Sequence, residues 1–136
     1  MPFVLDASMA MSWCFADEST PYSRRVLELL ADTHAEVPPL WPFEIANVLA
    51  VIEKRERITK ADSVEFLQTL SGLDIRIDQS LPGVDGKVLL PLVWSYGLTA
   101  YDAAYLELAK RKGLPLATFD KELIASAALE GIELVP

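Results

Sequence analysis

Four carboxylates that lie far apart in the chain, Asp6, Glu44, Asp102 and Asp120, each stand where a predicted strand ends or a predicted helix begins. In a parallel α/β domain such points fall on one edge of the sheet, so residues distant in sequence can meet there in one pocket. Two carboxylates about 5 Å apart repel by roughly 3 kcal/mol at an effective dielectric near 20, so gathering four of them requires compensation. Mg²⁺ or Mn²⁺ would supply it. Oxygen ligands with retained waters suit these hard ions, whereas zinc recruits His or Cys, and the chain holds one of each, His34 and Cys14. A divalent ion held by carboxylates, with no cofactor loop nearby, most naturally serves in-line phosphodiester hydrolysis: it helps deprotonate water and neutralises charge on the phosphate.

Each acid also has a structural explanation. Asp120 reads as an N-cap, and Thr99 followed by Asp102 resembles a capping box with Asp replacing Glu. Glu44 could complement a helix dipole, and Asp6 could cap the first helix. Taken together the balance shifts, because Asp6 and Asp120 end strands that a parallel fold can place side by side, and all four acids would face one edge. His34 lies in the polar segment Asp32 to Glu36 and reads as a solvated loop histidine, which removes a Ser-His-Asp triad. Cys14 reads as a small buried hydrophobe with no catalytic role. Neither G-x-x-x-x-G-K-[ST] nor a G-x-G-x-x-G after the first strand is present, so nucleotide-dependent roles lose their main support.

The elements that must position these acids follow from apolar periodicity. Phe3-Val4-Leu5 is a strand ending at Asp6, and a helical segment runs on to Phe15. Ser19-Thr20-Pro21 caps a helix with Val26, Leu27, Leu29 and Leu30 on its apolar face, finishing near Asp32. Glu36-Val37-Pro38 is a short second strand. Prolines 38, 39 and 42 block pairing until a helix starts near Pro42, which puts Glu44 in its first turn, and that helix runs toward Lys54. Another helix spans about Lys60 to Leu70. Asp74 to Asp78 alternates as an edge strand would, and a helix from about Gly83 to Ser95 follows, with Pro91 able to kink it. Thr99 opens a helix through Tyr101, Ala104, Tyr105, Leu108 and Ala109, closed by basic residues and Gly113, with Asp102 in its first turn. Leu114 to Phe119 is a strand ending at Asp120, which caps a last helix to Gly131, and Ile132 to Val135 is a final strand. Alternating strands and helices argue for a mainly parallel sheet covered on both faces.

At 136 residues the chain fits one domain, 1–136, and a 51% apolar and 24% charged composition is that of a globular protein. Apolar runs such as Val88 to Trp94 fall far short of the roughly 20 residues of a membrane-spanning helix. Met1 leads directly into Phe3-Val4-Leu5-Asp6 with no basic start, so a signal peptide is not expected and the expected compartment is the cytoplasm. A net charge of −8 opposes broad electrostatic binding to nucleic acid. The basic residues are nevertheless clustered, at Arg24-Arg25, at Lys54-Arg55 with Arg57 and Lys60, and at Lys110-Arg111-Lys112, and local patches of this kind can guide a phosphate backbone.

The acids sit in recognisable motifs: Val-Leu-Asp6-Ala-Ser8, Phe-Glu44-Ile-Ala-Asn47-Val-Leu, Tyr-Asp102-Ala-Ala-Tyr-Leu-Glu-Leu-Ala, and Ala-Thr118-Phe-Asp120-Lys. In their order and spacing the sequence resembles, over essentially the whole chain, the PIN-domain ribonucleases, and within them the VapC-type toxins of prokaryotic toxin-antitoxin pairs. The resemblance implies a three-layer α/β/α sandwich and a Mg²⁺- or Mn²⁺-dependent endoribonuclease. Asp6, Glu44, Asp102 and Asp120 would be its metal-binding, catalytic acids, with Ser8, Asn47 and Thr118 as supporting polar groups. It also implies an RNA substrate, a homodimer, and a small antitoxin that blocks the metal site. Met9, Met11, Trp13 and Phe15 are apolar material near the first helix that reads as core rather than partner surface. Two other readings remain open, a phosphoacceptor receiver-like module and a catalytically silent PIN binding domain. A receiver would pair acids near its first strand, and a haloacid-dehalogenase-like phosphatase would carry Asp where Ser8 stands.

Overall fold

The computed structural model describes residues 1–79 and 86–136. Four parallel strands, β1 (Phe3–Leu5), β2 (Ala35–Val37), β3 (Ile75–Ile77) and β4 (Leu116–Ala117), form one sheet in the order β3-β2-β1-β4. The three residues of β1 are an unbroken apolar run because this strand is central, with neighbours on both sides and helices over both faces; none exceeds 1% exposure. β3 lies at the edge, and its alternating sequence leaves Arg76 and Ile77 exposed.

Seven helices accompany the sheet among the described residues: α1 (Ala7–Met11), α2 (Pro21–Leu29), α3 (Trp41–Lys54), α4 (Lys60–Ser71), α5 (Gly86–Tyr96), α6 (Ala100–Lys112) and α7 (Lys121–Leu129). The architecture is a three-layer α/β/α sandwich. α6 is the helix most deeply embedded: every residue from Ala103 to Ala109 is buried, and it packs on β1 between α5 and α7. Local signals set the helix ends. Thr20 with Ser23 and Thr59 with Asp62 form reciprocal capping boxes on α2 and α4. Gly113 ends α6 in the left-handed conformation, φ 64°, which an L side chain adopts only with strain.

Several boundaries differ from the sequence reading. α1 stops at Met11 instead of reaching Phe15, and the Ser12 hydroxyl turns back to donate to the Met9 carbonyl at 2.6 Å. α2 ends at Leu29 rather than near Asp32, its last turns running out in a 30–32 turn. β4 holds two residues rather than the whole 114–119 run. Pro115 lacks an N–H for the ladder, and beyond Ala117 the chain turns toward the acid cluster. The expected final strand 132–135 is reduced to an isolated parallel bridge between Leu116 and Leu134. The expected start of the fifth helix at Gly83 lies outside the described residues. Met9, Met11 and Phe15 are core side chains, as read from the sequence, while Trp13 is partly exposed and its Nε1 donates to the Ser23 carbonyl. No described helix is long and apolar enough to cross a membrane.

Candidate active site

Asp6 is the first residue beyond β1 and the N-cap of α1, yet its side chain caps nothing. Its backbone N–H donates to the Ala117 carbonyl at 3.0 Å, which ties the ends of β1 and β4 together. The freed carboxylate, only 5% exposed, instead accepts from the Ser8 hydroxyl at 2.7 Å and the Thr118 hydroxyl at 2.6 Å, both at Oδ2. Thr118 is itself buried, and its Oγ1 also accepts the Asp120 backbone N–H at 3.0 Å. One hydroxyl, 112 residues from Asp6 in sequence, thus links Asp6 to Asp120.

Asp120 is an N-cap: Oδ1 accepts the Leu123 N–H at 2.9 Å at the start of α7. Capping uses that one oxygen, so the structural and functional readings are compatible. Asp102 occupies the first turn of α6, where Thr99 Oγ1 accepts its N–H at 3.1 Å and its carboxylate is left half-buried. Glu44 sits in the first turn of α3, and its Oε1 accepts a hydrogen bond from the phenol of Tyr105 on α6. Asn47, one turn further along α3, is exposed and lines an open hollow with Leu40, Phe43, Glu44 and Tyr101. Reading Tyr105 only as part of the apolar face of α6 misses this contact; the one sequence signal was its position one turn after Asp102.

The acids share one electrostatic field. Burial is the main cause that raises the Asp6 carboxyl above its ordinary range, outweighing the Thr118 and Ser8 hydroxyls, with Asp120 adding to the rise. Burial likewise raises Glu44, against the Tyr105 hydrogen bond and with help from Asp6 and Asp102. Asp102 is raised by burial and then by Asp120 and Asp6. No ion pair from a described Lys, Arg or His reaches any of the four acids. The grouping is open: among the described residues no three His, Cys, Asp or Glu side chains are already closed into a metal-ligand set. A donor set made only of carboxylates and hydroxyls, with no ion pair to balance it among the described residues, has the chemistry of a site for a hard divalent cation.

His34 is only partly exposed beside Glu36 at 3.5 Å, rather than solvated as its sequence context suggested. Cys14 is half-buried, and burial pushes its thiol up, away from the thiolate a nucleophile needs.

Comparison with known proteins identifies the family to which this fold belongs. The PIN domain family matches residues 3–130, and the chain belongs to that family. Within it the relatives are VapC ribonucleases: Ribonuclease VapC9 of Mycobacterium tuberculosis is 32% identical over 122 residues, covering 88% of this chain and 87% of that protein. Among solved structures, PAE2754 from Pyrobaculum aerophilum superposes with a TM-score of 0.72 at 21% identity, covering 93% of this chain and 84% of that one. VapBC2 from Rickettsia felis, bound to a DNA fragment from its promoter, gives 0.70 at 15% identity over 99% and 98% of the two chains.

Proposed function

We propose that this chain is a metal-dependent endoribonuclease of the VapC type, the toxin of a toxin-antitoxin pair that restrains translation or growth. The single observation that carries the reading is the convergence of Asp6, Glu44, Asp102 and Asp120, from four separate segments, on one electrostatic field, with no ion pair to any of them among the described residues. These four would hold Mg²⁺ or Mn²⁺, which when bound supplies a lowered pKa for attacking water and neutralisation of charge on the phosphate. The chain's own contribution is geometric. Thr118 and Ser8 hold Asp6, the α7 N-terminus holds Asp120, and Asn47 stands on the rim of the hollow beside Glu44. The domain comprises 1–136, acts in the cytoplasm on RNA, and pairs with a second copy of itself and a small antitoxin. Exposed Phe43 and Trp94, at 78% and 74%, are apolar surface available to such partners.

The experiment is cleavage of a defined RNA by the purified chain, free of antitoxin, with Mg²⁺ or Mn²⁺ and with EDTA, followed by sequencing of fragment 5′ ends. Wild type is expected to cut only with metal, and Asp6→Asn to be slower by at least about 100-fold, since even residues that merely support a metal ligand are worth 10- to 100-fold. Parental rates in folded Asp6→Asn would refute the assignment. The open spacing of the acids favours one second reading, a PIN domain that binds RNA or protein without cutting. Wild type that takes up no Mn²⁺ and cuts no RNA would establish it.

A further inference from the structure

Tyr105 has no exposure at all, and its ring lies in the core beneath α6. It follows Asp102 by three positions, so the two share one face of the helix. Its Oη donates to Glu44 Oε1, 61 residues away. Helix α6 packs on β1 and α3 packs on α1, so the phenol and the Glu44 carboxylate meet beside the corner that carries Asp6. Burial first, then Glu44 and then Asp6 raise the phenol above its ordinary range.

A buried phenol needs a partner, and any acceptor would satisfy that need. Tyr22 shows the ordinary solution, with its Oη donating to the Val135 backbone carbonyl at 2.7 Å. Tyr105 instead engages a half-buried carboxylate whose alternative is to swing out into the open hollow lined by Leu40, Phe43, Asn47 and Tyr101. The bond fixes one oxygen of Glu44 and leaves Oε2 with no hydrogen bond or ion pair among the described residues.

We propose that Tyr105 is a positioning residue of the acid site, holding Glu44 against the β1–α1 corner so that its second oxygen is presented to the cation bound with Asp6 and Asp102. This rests on the four-acid cation site proposed above. Outer partners that orient metal ligands act through ligand direction, so removing one weakens metal binding about 10- to 100-fold while the ligands themselves remain.

The test compares Tyr105→Phe with Tyr22→Phe, each of which keeps the ring and deletes one part-buried hydrogen bond. Mn²⁺ affinity is measured by titration calorimetry and by the electron paramagnetic resonance of free Mn²⁺, with thermal unfolding recorded alongside. Tyr105→Phe is expected to raise the Mn²⁺ Kd about tenfold or more, and Tyr22→Phe to leave it within twofold. RNA cleavage by Tyr105→Phe should recover toward the wild-type rate at excess Mn²⁺, with KM for RNA unchanged. A Tyr105→Phe Kd within twofold of wild type, or an equal rise in both variants, overturns the proposal while leaving the cation site standing. Loss of cooperative unfolding in Tyr105→Phe would assign the bond to the fold and overturn it as well. A wild-type chain that binds no Mn²⁺ would overturn the cation site and the positioning role together.

Discussion

Asp6 is the most deeply buried of the four acids and the one with the most direct polar support, and the two facts are connected. Two hydroxyls favour its charged form, yet burial still raises its pKa, and Glu44 and Asp102 are raised in the same direction. A carboxyl whose folded pKa is raised favours the folded state when protonated. Its stabilisation is complete below the ordinary carboxylate range and is lost as pH rises through the raised folded value, so the ionised cluster at pH 7 destabilises the metal-free fold. Asp6→Asn removes one of these charges at every pH and keeps a carbonyl oxygen for the hydroxyls. In EDTA at pH 7 the variant is expected to melt above wild type, with the gap closing as pH falls toward 4. Differential scanning calorimetry across that range checks it, and a variant that melts at or below wild type at pH 7 would mean that the acids do not repel. Saturating Mn²⁺ should reverse the order, because only wild type keeps the full ligand set.

At the scale of elements, the end of α6 shows how a local reading and the long-range structure diverge. Lys110, Arg111 and Lys112 close the helix as its dipole favours, and from sequence they also form a patch suited to phosphate. In the structure they are occupied by acids instead. Arg111 bridges Glu107 at 2.7 Å and Asp78 at 2.6 Å, Lys112 reaches Glu36, and Lys110 pairs with Glu130 at 3.1 Å. Glu107 and Asp78 are each 5% exposed, so Arg111 holds the end of edge strand β3 against α6 with two carboxylates that have little water. Arg111→Met should cost about 3 kcal/mol, since it strips a partner from buried charges, and urea unfolding should show a lower midpoint with an unchanged slope. A loss under 1 kcal/mol would place the bridge among ordinary surface pairs. Only the Glu107–Arg111 pair has helical spacing; the bridge to Asp78 was invisible in the sequence because periodicity reports neighbours three or four residues apart, whereas Asp78 and Arg111 are 33 apart. The same limit hid Tyr105 and Glu44. What was legible rested on local chemistry: Thr99 and Thr20 start helices, Gly113 ends one, and the apolar run Phe3-Val4-Leu5 marks a strand that stops at Asp6. Those signals put Asp6, Glu44, Asp102 and Asp120 at strand ends and first turns. The length of β4 was not legible, because hydropathy does not register the N–H that Pro115 lacks.

For the whole molecule, the difficulty is how a chain of net charge −8 approaches a polyanion. Arg57 leans toward Asp17 and Glu18 at 3.7 and 3.8 Å, and the α6 cluster is consumed by its own acids. Lys54 and Arg55 differ: both are exposed and neither forms an ion pair among the described residues. They lie at the far end of α3, the helix whose first turn holds Glu44, and the ten helical steps from Glu44 to Lys54 span about 15 Å. A strand with its scissile phosphate at the acids and its flank along α3 would meet both cations within a few nucleotides. Each phosphate neutralised on single-stranded RNA contributes about −0.7 to the slope of log affinity against log salt. Lys54→Ala with Arg55→Ala, made in the Asp6→Asn background so that RNA survives, should therefore flatten that slope by about 1.4 and weaken binding similarly for all sequences. Cleavage positions should not move when the pair is changed in the active chain, because phosphate contacts set register without reading bases. Fluorescence anisotropy between 50 and 300 mM salt measures the slope, and an unaltered slope would send the strand away from α3.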